Sequence, residues 1–420
     1  MLLVLASSPN RLIASSPNRL IIITTRFLIL IIAWALVVPM SHAISLDSLL
    51  NLPAMGIPVV NYSPESTWEF GAAAQGYFRL PNQERTSIVQ LDGTYSLNHQ
   101  WYINAQGNLY FGIKDSAKPL QDGASTYRLK ARGWQLQFRA GYSDRPANYY
   151  GSNNDSIFAN QGNMGIGMLR QGKPYDLQRG YLNVQAPIYI TPQLAVGPMM
   201  DVLVARFRIE DIYTLPDPLV QIGLGAVAQY DTRDNVFYPH QGLFVKLSAA
   251  AAWTNKRDIP EGQQASISGL LSADLRHYIP LAKDLVLAWQ LKGQFLLPDL
   301  NLHITHLTLY PMLPRLGGQD GLRGINSDMF RDDIMMAFQT ELRIPLWSIF
   351  RAIVFAGVGD VYDFHNWHWE VPKVGYGIGL RAAINKAKVN IRFDVARSNV
   401  DPRWNTINAY SFYLTATEAF

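Results

Sequence analysis

Over residues 101–111 the chain alternates with a period of two. Trp101, Ile103, Ala105, Gly107, Leu109 and Phe111 fall on one side, and Tyr102, Asn104, Gln106, Asn108 and Tyr110 on the other. Residues 265–279, 285–297 and 389–395 repeat the pattern, the last setting Val389, Ile391, Phe393 and Val395 against Asn390, Arg392 and Asp394. Such a period puts successive side chains on opposite faces of a strand. It weakens over 195–209 and is weakest over 155–170. No apolar run in residues 44–420 approaches the roughly 18 residues of a membrane-spanning helix.

Alternation alone also fits a soluble sandwich. Length decides, because the strands here run to roughly 10–15 residues, against about 5–6 in soluble proteins. Connections alternate between tight ones, as at Asn98-His99-Gln100 and Ala282-Lys283, and long ones at 298–333, 364–372 and 399–407. Aromatic residues gather at strand ends, among them Tyr230, Tyr238, Trp367 and Trp369. Tight turns on one side, long loops on the other and aromatic girdles mark outer-membrane barrels. The prediction is an all-β protein, a 16-stranded antiparallel transmembrane β-barrel. Its strands fall near 66–80, 86–98, 100–113, 126–142, 155–170, 176–190, 195–209, 219–233, 242–254, 264–280, 284–297, 334–346, 350–363, 373–385, 387–398 and 408–420.

Ahead of the barrel, Phe27–Val38 is an apolar run preceded by Arg19 and Arg26 and followed by Ser41-His42-Ala43. A charged start, an apolar centre and small residues at the cleavage point predict a signal peptide over 1–43. Residues 44–65 are then a short periplasmic linker, and 66–420 the barrel. The expected location is the outer membrane of a Gram-negative-type cell. Of 420 residues 48% are hydrophobic and only 16% charged, below the quarter or so of a soluble domain. Net charge is +4, and Arg11, Arg19 and Arg26 supply three of it, so the remainder carries no footprint for nucleic acid. With no cysteine, thiol chemistry and Cys-ligated metals are excluded.

No nucleophile, base and acid set converges, so no enzyme and no cofactor is expected. Gly375, Gly377 and Gly379 alternate along a strand and form a small-residue stripe, not a dinucleotide loop. The pairs His303/His306 and His365/His368 are surface residues of outer loops, without a metal role. Glu341 and Arg343 share a face with Gln339, opposite Phe338, Leu342 and Ile344. Lipid penalises the charged face, so that face lines the lumen. The longest connection contains Gly317, Gly318, Gly321 and Gly324 around a single Arg323, a glycine-rich tip able to reverse tightly.

These segments resemble the BamA/TamA outer-membrane assembly family, the bacterial surface antigen barrel, over about 66–420. The resemblance rests on GGQDGLRG at 317–324, TELRIPL at 340–346, YDTRDNVFYPHQG at 230–242 and ANYYGSNND at 147–155. It implies a sixth outer loop folded into the lumen, with Arg323 contacting Glu341 on strand 12. It also implies a strand 8–9 turn built on Asp231, Arg233, Asp234, Pro239 and Gly242, and a C-terminal assembly signal at Phe412, Leu414 and Phe420. Two departures stand out. Ile325 replaces an aromatic residue, which predicts looser packing of the loop tip. Gly357 stands where a wall carboxylate is expected, which leaves Arg323 relying on Glu341 alone.

POTRA domains are not among these segments, so a barrel-only member is implied. The implied function is insertion or translocation of proteins or lipids at the outer membrane, through a seam between strands 1 and 16. Gly71 and the alanines after it place little side-chain bulk on the first predicted strand. A passive or gated pore and a structural, surface-exposed membrane protein remain as alternatives. Implied partners are outer-membrane lipids, an unfolded barrel or lipid client, a separate periplasmic partner and a second copy of the chain.

Overall fold

The computed structural model describes residues 54–420 apart from 64–66, 79, 81–84, 113–132, 150–172, 210–212, 215–217, 237, 256–264, 298–309, 320, 328, 348, 365–371, 384–389, 401–409 and 416–419. The signal peptide, the four loop histidines and the strand expected at 155–170 lie outside the described residues.

Sixteen long antiparallel strands make one sheet. They are β1 (Ala54–Ser63), β2 (Thr67–Phe78), β3 (Ser87–Ser96), β4 (Trp101–Phe111), β5 (Trp134–Asp144), β6 (Lys173–Gln185), β7 (Leu194–Ile209) and β8 (Leu219–Asp231). The second half is β9 (Gly242–Asn255), β10 (Ala265–Ala282), β11 (Leu285–Leu297), β12 (Ile334–Pro345), β13 (Phe350–Tyr362), β14 (Lys373–Ala383), β15 (Asn390–Ser398) and β16 (Ser411–Thr415). Each strand pairs with the next, and β16 pairs with β1, which closes the sheet into a barrel. Closure leaves no sheet edge for lipid to face.

The number of strands agrees with the sequence pattern, but the first strand differs. β1 occupies the stretch expected to be a linker. Pro58 removes a ladder donor and Gly56 interrupts the alternation, so the segment does not look like a strand in isolation. Pairing with β2 at ten positions, from Ala54↔Gly76 to Ser63↔Thr67, makes it one. Further along the chain, β5 pairs with β4 on one side and directly with β6 on the other, from Gln137↔Gln185 to Asp144↔Gln178.

The two faces of the sheet are inverted relative to a soluble protein. Ile267, Leu271, Leu291, Met336, Phe338, Val354, Ile378 and Phe393 are exposed on the outer face. Gln75, Gln90, Asn104, Gln229, Gln290 and Gln339 are buried on the inner one. Apolar outside and polar inside is the arrangement a lipid-embedded barrel requires. Inside, amides bond across neighbouring strands, as in Gln75 Nε2 to Gln90 Oε1 at 2.6 Å and Asn104 Nδ2 to Asp92 Oδ1 at 3.0 Å. Lys246 Nζ on β9 also donates to Gln137 Oε1 on β5 at 2.6 Å, and Gln137 donates to Gln229 on β8 at 2.8 Å. Strands that do not pair thus meet through side chains.

The arrangement predicts a sharp difference between faces. Phe338→Arg, on the outer face midway along β12, is expected to cost about 2–4 kcal/mol. Gln106→Arg, on the inner face, is expected to cost much less. Equilibrium unfolding in lipid bilayers measures both.

Candidate functional site

The connection between β11 and β12 returns to the barrel wall. Leu316 N donates to Phe330 O at 3.2 Å, Leu322 N to Leu316 O at 2.9 Å and Gly318 N to Ile325 O at 2.9 Å, which folds the tip back on itself. Gly324 has φ of +89°, and a Cβ there would meet the Arg397 carbonyl oxygen at 2.5 Å. Only glycine fits that conformation and that approach. Leu316, Leu322, Ile325, Met329 and Phe330 pack with Met335 and Ala337 of β12 and Val361 of β13. Ile325 is 1% exposed in this cluster. The loosening expected from loss of an aromatic residue is therefore not seen, because the branched side chain has its own apolar neighbours.

The fold of the tip carries Arg323 onto the charged inner face. Its Nη2 lies 2.8 Å from Glu341 Oε1 of β12, close but too bent for a linear hydrogen bond. Its Nη1 donates to Asp394 Oδ2 of β15 at 2.9 Å. The guanidinium also lies over the Phe355 ring, 3.6 Å from its centroid, a cation–π contact strengthened by exclusion of water. Three further arginines surround the two carboxylates. Arg343 Nε donates to Glu341 Oε2 at 3.2 Å. Arg381 Nη1 donates to Asp394 Oδ1 at 2.6 Å, and its Nη2 lies 3.6 Å from Glu341 Oε1. Arg392 Nε lies 3.5 Å from Asp394 Oδ2, while its Nη2 donates to the Gln319 carbonyl of the loop at 3.5 Å. All six charged side chains are essentially shielded from water.

Arg323 and Glu341, paired by the resemblance, are thus in contact, but Arg323 does not rely on Glu341 alone. A Cβ at Gly357 would meet Leu322 Cδ1 at 2.6 Å and Gln339 Cγ at 2.8 Å. The loop fills the space where a carboxylate on β13 would stand, and Asp394 supplies the second negative charge from β15. Asp360 is committed elsewhere, to Lys373 Nζ at 2.5 Å. The glycine stripe on β14 is the floor beneath the arginine. A Cβ on Gly375 would meet the Arg323 carbonyl oxygen at 2.0 Å, and one on Gly379 would meet Asp394 Oδ1 at 2.1 Å. Asp394, Arg381, Arg392, Phe355 and the β14 glycines were not among the sequence candidates. The sequence signalled Arg392 and Asp394 only through polar alternation with Asn390, and the glycines only as a small-residue stripe.

In the β8–β9 turn, Arg233 Nε and Nη2 grip the two oxygens of Asp231 at 2.9 and 2.8 Å. Burial disfavours the Arg233 charge, but the hydrogen bonds and field of Asp231 outweigh it, so the pKa rises above the ordinary arginine value. Asp234 Oδ1 accepts the His240 and Gln241 amides at 2.9 and 3.3 Å. Gly242 has φ of +111°, with the Thr232 carbonyl against the position of a Cβ. The Pro239 carbonyl accepts from Arg343 Nη1 at 3.2 Å, which joins this turn to the arginine cluster.

At the closing pair, Leu414 lies opposite Val60 and Phe412 opposite Tyr62. Phe412 and Tyr62 stand 5.9 Å apart by ring centroid, with Trp68 5.2 Å from Tyr62. Phe420 is 3% exposed and packs with Tyr278, Val286 and Ala288. Gly71 is not at the closing pair. It lies in β2, opposite Val59 and Thr94, and a Cβ there would meet the Gly93 carbonyl oxygen of β3 at 1.9 Å. The displacement follows from β1, which takes the closing position.

Each carboxylate serves more than one arginine, so each should matter alike. Asp394→Asn is expected to destabilise as much as Glu341→Gln, by about 3–5 kcal/mol, because either leaves buried positive charge uncompensated. Urea titration in detergent measures both. Gly375→Val is expected to displace the loop tip without opening the barrel, seen as new protease cleavage near Arg323 with unchanged strand content.

The Omp85 superfamily domain matches residues 77–420, which include the loop, both carboxylates and the β8–β9 turn. The crystal structure of BamA from Haemophilus ducreyi lacking POTRA domains 1–3 is 13% identical, with a TM-score of 0.51 over 87% of this chain and 70% of that one. CdiB from Escherichia coli is also 13% identical, with a TM-score of 0.51 over 87% of this chain and 62% of that one. The chain thus spans less than two-thirds of the CdiB chain. At such identity these likenesses concern the fold, a closed 16-stranded antiparallel barrel. No curated protein matches significantly. With the match extending from β2 to the C-terminal residue, the chain belongs to the Omp85 superfamily.

Proposed function

We propose that this barrel sits in the outer membrane and assists insertion or translocation of polypeptide or lipid through the junction of β1 and β16, with Arg323 holding the loop in the lumen while the junction works. The observation that carries this reading is the closing pair itself. There β16 meets β1 antiparallel, with Val60 opposite Leu414, Asn61 opposite Tyr413 and Tyr62 opposite Phe412. At one of the three, the Asn61 side chain accepts the Leu414 amide at 3.3 Å. A side chain thus takes a donor that a ladder carbonyl could hold, and a separated strand exposes amides that can pair with an incoming strand. The superfamily membership supports the reading, as does the anchored loop. Unfolded barrel protein is the client tested first, and a periplasmic partner or a second copy of the chain is compatible with it.

A gated pore is the second reading, favoured by the amide-rich inner wall from β2 to β11. The loop anchored through Arg323 opposes it, since the tip fills lumen that a solute would use.

Opposed residues of an antiparallel pair lie about 4.5–5.5 Å apart between Cα atoms, within disulfide reach. The chain has no cysteine of its own. A Val60→Cys, Leu414→Cys protein in liposomes, given urea-unfolded barrel client, is expected to speed client folding when reduced and to lose that effect when oxidised. Full activity in the oxidised protein would exclude the seam. Large, stable conductance in planar bilayers, with no effect on client folding, would favour the pore.

A further inference from the structure

The closing strand and the loop tip touch the same few residues. Tyr413 of β16 accepts the Gly324 amide at its hydroxyl, 3.4 Å away, so the residue after Arg323 is fastened to the closing strand. The Tyr413 ring packs with Phe355, the ring over which Arg323 lies. A second connection runs through the end of the chain. The Phe420 oxygen accepts from Arg343 Nη2 at 3.1 Å, and Arg343 Nε donates to Glu341, the partner of Arg323. Arg343 is held rigidly for this role. Its Nη1 donates to Pro239, and its guanidinium lies 4.8 and 5.2 Å from the ring centroids of Tyr238 and Tyr278.

We infer that the loop tip is the latch of the closing strand. Tyr413 ties it directly, and Arg343, as a positioning residue, ties it through Glu341. Displacement of β16 then withdraws the acceptor from Arg343 and the hydroxyl from Gly324, and both losses weaken the hold on Arg323. Coupling between sites is reciprocal, so release of the loop must loosen the C-terminal residue by the same factor. The inference rests on β16 being the mobile strand proposed above. It is tested without any client, so failure of client insertion leaves it standing, and its own failure leaves the seam proposal standing.

The absence of native cysteine gives a direct reporter. Ile325→Cys places a single thiol at a position that is 1% exposed beside the latch. Its maleimide labelling rate in proteoliposomes is compared in three forms. These are the parent, the parent with one glycine added after Phe420, and that protein with Tyr413→Phe. One lost buried hydrogen bond corresponds to about tenfold in an opening equilibrium. Labelling is expected to rise by roughly that factor with the added glycine, and further with Tyr413→Phe. Rates within about twofold of the parent in the doubly altered protein would overturn the inference.

The reciprocal arm uses a native C-terminus and applies even where the extended chain fails to assemble. Arg323→Ala is expected to accelerate removal of Phe420 by carboxypeptidase, while the barrel keeps its folded migration on unheated gels. Unchanged removal would equally overturn the inference. Arg343→Lys retains the charge but not the fork of donors, and is expected to raise both rates.

Discussion

A guanidinium enclosed in protein must be met by negative charge or it destabilises the fold. Arg323 meets this requirement with two carboxylates on strands that do not pair with each other, Glu341 of β12 and Asp394 of β15. The rest of the inner wall in this region follows from that placement. Two carboxylates close together repel, so Arg343, Arg381 and Arg392 flank them. The arginine's backbone must approach the wall, so β14 carries glycine where its carbonyl arrives. The loop must turn sharply on either side of the charge, which the left-handed conformation of Gly324 provides.

Enclosure also links elements far apart in the chain. The loop touches β12 to β16, the β8–β9 turn touches Arg343 through Pro239, and the last residue touches the same arginine. Strands in a barrel otherwise communicate only with their neighbours, through ladder bonds. A charge network in the lumen crosses the circumference and joins non-adjacent strands directly. The network between β5, β8 and β9 does the same elsewhere on the wall, with Lys246 and Gln229 both meeting Gln137.

The closing pair contrasts with both networks. Part of its cohesion comes from aromatic contacts of Tyr62, Trp68 and Phe412 on the outer face. Such contacts are less directional than ladder bonds.

The sequence by itself determined the barrel, because lipid outside and water inside force a period of two that survives in almost every strand. It also located the loop arginine and Glu341, through motifs contiguous in the chain. It could not identify β1, where Pro58 and Gly56 break the period and only ten pairings with β2 make a strand. Asp394 was visible only as one more polar residue on a strand. Its role as the second partner of Arg323 depends on β15 facing the loop across the lumen, a relation between residues 71 positions apart that closure of the sheet alone decides.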